Sequence, residues 1–547
     1  MNKTQRTKHR WVDGAIVYQA YPRSFYDSNA DGIGDIPGVT AKLNYLKTLG
    51  VNAIWLSPFY PSPMADFGYD VADYCGVDPI FGSLADMDKL LKQAHKRNIK
   101  IMVDLVPNHT SDEHTWFHQS RQSRENPYAD WYIWRDPKGH DKNGNPTPPN
   151  NWLAMFDGES AWEWEPARQQ FYLHTFDVGQ PDLNWTNSEV REGVKDAMRF
   201  WLDKGIDGFR VDAVPFMAKE PKLKDEPKNP DWKPGWHGYD RLKHVNNQGW
   251  PHLFDYLSEM AAVLKEPKYA AHDRFMVTEA YPSWHNKISD YMAYYKGMDP
   301  EVAAPFNFEG IGLPWQASEW HDFLKAFHKS LDDFSPLCVA SYAFGNHDQS
   351  RLVTRIGESA ARSAAVLLMT LPGMAFIYNG DELGMKNGII PPDMVQDPGA
   401  VSSEGRDPER TPMQWTPGKN AGFSKADKTW LPIADNYKTH NVRSESWNRQ
   451  SFLNLYKKLG KLRNTSATLK HGDFKIIPTK HKDVLGYTRS YDKVTHTVLV
   501  NFSDKPATAK LTDKPGRFVL SSFASSKPTV IDSTVKLAAH EAVIYEL

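Results

Sequence analysis

Asp207-Gly208-Phe209-Arg210-Val211-Asp212-Ala213 reads as a short buried strand that ends on an acid. Phe209 and Val211 suit a core; Arg210 and Asp212 alternate with them and share the opposite side. A guanidinium beside a carboxylate holds the acid in place and favours its ionised form. A nucleophilic carboxylate needs both conditions. A structural ion pair is the plainer reading of the heptapeptide alone. Three other strand ends favour chemistry: Asp104 to His109, Glu279, and Asn346-His347-Asp348.

Working outward, short apolar runs at 15–18, 53–56, 101–106, 208–211, 275–278, 305–308, 340–344 and 374–378 read as strands. Amphipathic helical patterns lie between most of them, at 40–49, 84–97, 188–204, 253–264, 318–331 and 360–371. Eight strands alternating with helices predict an α/β fold, a (β/α)8 TIM barrel. A doubly wound open sheet is the runner-up, and no glycine-rich phosphate loop supports it. The interval after the third strand holds Trp116, Trp131, Trp134, Trp152, Trp162 and Trp164 and is too long for an ordinary loop. It is expected to be an inserted domain, 109–176. A Pro-, Lys- and Trp-rich stretch at 217–250 reads as a long loop over the site. After a last helix at 451–462, runs at 484–491, 495–502, 518–523 and 541–547 predict a C-terminal antiparallel β domain. The expected division is 1–108 with 177–465 for the barrel, 109–176 inserted, and 466–547 at the C-terminus.

Composition narrows the function. At 547 residues with a formal net charge of −2, the chain has no bulk charge for nucleic acid or a membrane surface. Its 19 Trp and 24 Tyr suit flat sugar faces. The two cysteines, Cys75 and Cys338, give neither a disulfide framework nor a zinc site. The polar, basic start shows no signal peptide, and no apolar run spans a bilayer, so a cytoplasmic location is expected.

Asp104-Leu105-Val106-Pro107-Asn108-His109 closes the third strand and Glu279 leaves the fifth. A lone histidine or glutamate at such a place is usually a satisfied core or surface residue. Neighbouring strands lie about 4.8 Å apart, so Glu279 and Asp212 approach the roughly 5–5.5 Å carboxyl spacing of retaining glycosidases. Asn346-His347-Asp348 is either an Asx-capped turn or a third carboxylate and second histidine for sugar hydroxyls.

Taken in order, these segments resemble the α-amylase superfamily, glycoside hydrolase family 13, and within it the α-glucosidases and oligo-1,6-glucosidases. Gly68-Tyr69-Asp70, Gln180-Pro181-Asp182-Leu183-Asn184-Trp185 and Arg406-Asp407-Pro408-Glu409-Arg410-Thr411-Pro412-Met413-Gln414-Trp415 carry the same resemblance, from about residue 11 to the end. It implies a retaining mechanism: Asp212 as nucleophile, Glu279 as acid and base, Asp348 binding the 2- and 3-hydroxyls. It implies that His109 and His347 hold the ring, that Arg210 orients Asp212, and that Phe176 lines the site. Asp70, with Arg406 or Arg410, would grip the non-reducing glucose and close the pocket, which makes an exo-enzyme. In this subfamily Val after the nucleophile accompanies α-1,6 cleavage and Ala, Gly or Thr α-1,4; Ala213 leans toward maltose, with sucrose as a second substrate. The alternatives are a transglucosidase or sucrose isomerase, an oligo-1,6-glucosidase, a trehalose-forming mutase, and a non-catalytic binding subunit. Asp27-Ser28-Asn29-Ala30-Asp31-Gly32-Ile33-Gly34-Asp35 resembles a calcium loop, with side chains of Asp27, Asn29, Asp31 and Asp35 and the Ile33 carbonyl as ligands. Magnesium is the alternative ion and an Asx-stabilised turn the plainer reading. No organic cofactor is expected, the partner is a small α-glucoside, and the protein is a monomer or homodimer.

Overall fold

The computed structural model describes residues 9–282, 287–401, 405–523 and 528–547. Eight parallel strands form its centre: β1 Ile16–Ala20, β2 Ala53–Leu56, β3 Lys100–Leu105, β4 Gly208–Val211, β5 Phe275–Thr278, β6 Ala303–Pro305, β7 Ser341–Ala343 and β8 Met374–Tyr378. Each pairs with its sequence neighbours, β8 returns to β1, and a bridge from Asn307 to Tyr342 closes the ring between β6 and β7. The strands are buried on both faces, as near-continuous apolar runs require. The expected (β/α)8 barrel is the fold.

The helices at Ser188–Lys204 and Leu253–Leu264 start and stop where the sequence pattern does. The first one ends on Gly205 in the left-handed conformation that glycine adopts without strain. The pattern at 40–49 splits into Ile36–Ala41 and Leu43–Leu49, and it begins early because the Asp35 side chain caps the Gly38 N–H at 2.6 Å. An unforeseen helix, Lys287–Gly297, packs Tyr291, Tyr294 and Tyr295 inward. Aromatic residues weaken a helical signature, so the pattern was hidden.

Between β3 and the helix at Ser188, Trp134–Arg135, Gln170–Leu173 and Trp162–Glu165 form a small antiparallel sheet. It has its own core around Trp152, Trp162 and Phe171. At the C-terminus, five antiparallel strands (Asp473–Ile476, Val484–Tyr491, Val494–Asn501, Ala542–Glu546, Arg517–Ser521) share a separate core with a three-stranded sheet through Leu499, Ala509 and Val535. Among the described residues no helix is long and apolar enough to cross a membrane.

Candidate active site

Register places the acids. Val211 lies opposite Thr278, so Asp212 and Glu279 are each one residue past paired strand ends. Their N–H groups extend the ladders, Asp212 to Leu105 O and Glu279 to Val211 O, both at 2.8 Å. Arg210 lies opposite Asp104 on β3 and beneath both acids. Its fully buried guanidinium contacts three carboxylates: Asp104 at 2.8 Å, Glu279 at 2.6 Å, and Asp212. Asp104 also accepts from Trp55 Nε1 at 2.9 Å.

The chain turns sharply after Asp212. Ala213 adopts φ 47° and ψ 31°, and its N–H donates to Glu279 Oε2 at 2.9 Å. A non-glycine residue there stores strain and joins the two strand ends directly. One guanidinium thus holds both carboxylates, Asp212 on Nη1 and Glu279 on Nη2.

Asp348 sits in the opposite electrostatic setting. Arg410 Nη2 donates to it at 2.8 Å, Arg406 Nη1 at 3.3 Å, and His347 Nε2 lies 3.2 Å from its other oxygen. Burial alone would raise its pKa, but His347, Arg410, Arg406 and Arg210 outweigh burial and pull it well below the usual carboxylate range. Asp212 goes the other way. Burial pushes it well above that range, Arg210 opposes, and the charges of Glu279, Asp104 and Asp348 push it higher again. Burial also raises Asp104 to about 6. Burial and mutual repulsion therefore raise Asp212 and Asp104 even though one guanidinium contacts both.

The residues around the acids form one cavity of about 450 Å³, within the range of small-ligand sites. His109, Phe176, His347 and Arg406 all line it beside Asp212, Glu279 and Asp348. His347 stacks on Tyr69 with ring centroids 5.2 Å apart, and Gln19 Nε2 lies 2.8 Å from its Nδ1. His109 lies 3.1 Å from Gln180 Nε2, and burial lowers its pKa to about 4, so it enters the site uncharged.

Asp70 does not reach the cavity, which corrects the sequence reading. It is fully buried and accepts from Ser62 Oγ at 2.8 Å and from the N–H groups of Ala65, Asp66 and Gly68. Phe67 at φ 47° and Gly68 at φ 104° reverse the chain, so that Asp70 folds back onto its own turn and Asp66 faces the cavity instead. Asp66 pairs with Arg406 at 2.7 Å. Arg406 also binds Asp397 at 2.6 Å and lies over the Phe156 ring. Arg410 is fully buried behind Asp348 and bonds the His347 carbonyl at 2.8 Å. Arg406 is thus the arginine at the cavity and Arg410 its support. Sequence reasoning missed Asp66, Phe156 and Gln248; the acid two residues before Gly68 was the one available signal.

The 217–250 stretch docks on the inserted sheet: Trp152 Nε1 donates to Lys224 O at 2.8 Å and Asn150 Nδ2 to Leu223 O at 2.9 Å. Phe216 and Gln248, at its two ends, line the cavity.

The 27–35 loop carries none of these acids. Asp27 accepts from the N–H groups of Asn29, Ala30 and Gly32 at 2.7–3.0 Å. Asp31 accepts from Ile33 N at 2.8 Å, and Asp35 from Gly38 and Ser28. These are Asx turns and a helix cap. The donor set is all oxygen, which fits a hard cation, but as placed these carboxylates face N–H groups of their own segment.

The comparisons agree with this geometry. The family model described as "Alpha amylase, catalytic domain" matches residues 19–472. A salivary alpha-glucosidase of Aedes aegypti is 40% identical over 95% of this chain and 91% of its own. An oligo-1,6-glucosidase of Parageobacillus thermoglucosidasius is 37% identical over 98% and 99%. The crystal structure of an alpha-glucosyl transfer enzyme superposes with a TM-score of 0.89 at 36% identity, covering 98% of this chain and all of the other. A barrel with these acids at its rim, matched over most of its length, belongs to the α-amylase superfamily of glycoside hydrolases, family 13.

Proposed function

We propose that the chain is a retaining, exo-acting α-glucosidase that releases glucose from the non-reducing end of short α-1,4-glucosides such as maltose. The observation that supports this reading is the shared guanidinium: Arg210 pairs with both Asp212 and Glu279 at neighbouring strand ends, the close placement that a retaining pair needs. Asp212 attacks the anomeric carbon and forms a glucosyl-enzyme. Glu279 delivers a proton to the leaving oxygen, then removes one from water. Asp348, kept anionic by its cationic neighbours, binds the adjacent hydroxyls and offsets positive charge on the oxocarbenium-like transition state. The Asp66–Arg406–Asp397 network ties the loop after β2 to the 397–406 segment and supports a closed glucose end. Ala213 supports α-1,4 over α-1,6 linkages.

The alpha-glucosyl transfer relative supports a second reading, in which a sugar hydroxyl replaces water against the same intermediate. One incubation with maltose, isomaltose, sucrose and trehalose, all products resolved, tests both. Glucose as main product, fastest from maltose, is the expected result. A clear isomaltose preference, or isomerised sucrose as main product, overturns it. We also propose that the 27–35 loop takes a structural calcium ion by turning its oxygens inward, with magnesium as substitute. Cytoplasmic action as monomer or homodimer completes the proposal, although the mosquito relative is by its name salivary.

A further inference from the structure

A second cluster lies at the opposite end of the barrel, where the strands begin. His9 and Asp13 precede β1, and His471 ends the helix Ala467–His471 that leads into the C-terminal sheet. One ligand atom from each lies within 4.8 Å of the other two. Among the described residues no other group of three His, Cys, Asp or Glu side chains meets that condition. The two imidazoles stack with centroids 3.8 Å apart. Gly14 permits the approach, since a Cβ there would lie 2.7 Å from Lys470 Cα. A cavity of about 40 Å³ borders all three side chains, room for a water. A far larger one, about 710 Å³, opens beside them and exceeds the sugar cavity.

Two imidazoles, a carboxylate and a place for water form the donor set of a three-ligand zinc site. The nitrogen donors distinguish it from the all-oxygen 27–35 loop, since imidazole suits borderline transition metals and poorly suits calcium. Bound ligand atoms would stand roughly 3.4 Å apart at tetrahedral zinc. His9 is exposed, and turning its ring out of the stack on His471 would close that distance. The Arg10 N–H holds Asp13 Oδ2 at 3.0 Å, an outer bond that metal-ligating carboxylates commonly keep. We propose that His9, Asp13 and His471 bind one zinc-class divalent ion, which pins the segment entering β1 to the helix entering the C-terminal domain.

The test uses the tag-free, full-length chain, stripped with chelator and kept in calcium. Zinc is titrated calorimetrically, and cobalt(II) is added separately as a spectroscopic probe. One zinc equivalent, a tetrahedral cobalt spectrum and a zinc-dependent rise in thermal midpoint are expected. His9→Gln and His471→Gln should each weaken uptake at least tenfold, and the double variant should abolish it, with the maltose rate unchanged. His9→Gln alters an exposed side chain, so loss of folding does not confuse the result. No uptake by the unaltered chain at micromolar zinc, or an equivalent retained by the double variant, overturns the proposal.

Discussion

Replacing Arg210 by methionine keeps most of the side-chain volume and removes the one cation shared by Asp104, Asp212 and Glu279. A unit charge about 4 Å from another, at an effective dielectric constant near 20, is worth about 4 kcal/mol. Rearrangement and water entry reduce it, but losing Arg210 still raises Asp212 further, since that charge is what opposes burial there. Asp212 must be ionised to attack; the acid limb of kcat/KM therefore moves to higher pH, and the neutral rate falls by about 10²-fold or more. Stability falls by about 3–5 kcal/mol, because buried carboxyls lose their partner. Asp104→Asn is the opposing control. The Asp104 charge raises Asp212, so its removal moves the acid limb to lower pH. The measurements are pH profiles of kcat/KM on maltose and thermal unfolding of both variants. An acid limb that stays put in Arg210→Met, or moves the same way in both variants, would refute the view that this guanidinium governs the nucleophile.

Ala213→Val should cut kcat/KM on maltose about tenfold and shift the maltose-to-isomaltose ratio toward isomaltose; a β-branched residue at φ 47° adds strain, and a methyl-scale change is worth about 1–3 kcal/mol. An unchanged ratio would count against linkage control at this position. Asp66→Asn should raise KM at least tenfold with little change in thermal midpoint, whereas Asp70→Ala should destabilise by about 1–3 kcal/mol through orphaned N–H groups. Kinetics and melting curves that show the reverse would restore Asp70 to the sugar. Adding calcium to chelated protein should raise the thermal midpoint and leave kcat unchanged, and Asp31→Asn should shrink that rise; equal midpoints with and without calcium would leave the loop as a plain turn.

Much of the barrel was legible because fully buried strands are short apolar runs, and β4, β5 and β8 begin and end with them. The apolar run at 305–308 places β6 too far along: pairing with β5 stops at Pro305, and Asn307 instead bridges to Tyr342 on β7. The Lys287–Gly297 helix buries tyrosines, whose preference for helix is weak, so only packing revealed it. In the site, acids on strand ends were found from period-two alternation. Loop residues were not, since spacing gives no direction once a turn leaves the regular regions. Asp66 and Asp70 stand four residues apart, and two left-handed residues between them decide which one faces the sugar. Arg406 precedes a four-residue helix that Arg410 ends, and the pairs with Asp66 and Asp397 bring the first to the cavity.

The unequal sharing of charge between the acids supports the proposed order of events. Arg210 is divided among three carboxyls, while Asp348 draws on Arg410, on the His347 imidazole and on Arg406, which it shares with Asp66 and Asp397. Their environments therefore push Asp212 and Asp348 in opposite directions. A carboxylate held far below neutrality is a fixed charge: it stabilises the cation that forms and stays anionic throughout. In the proposed mechanism Glu279, on the same guanidinium as Asp212, passes a proton out and takes one back within a single turnover. The register of β3, β4 and β5 enforces the difference, because Asp104, Arg210 and Val277 lie level across three strands beneath the acids.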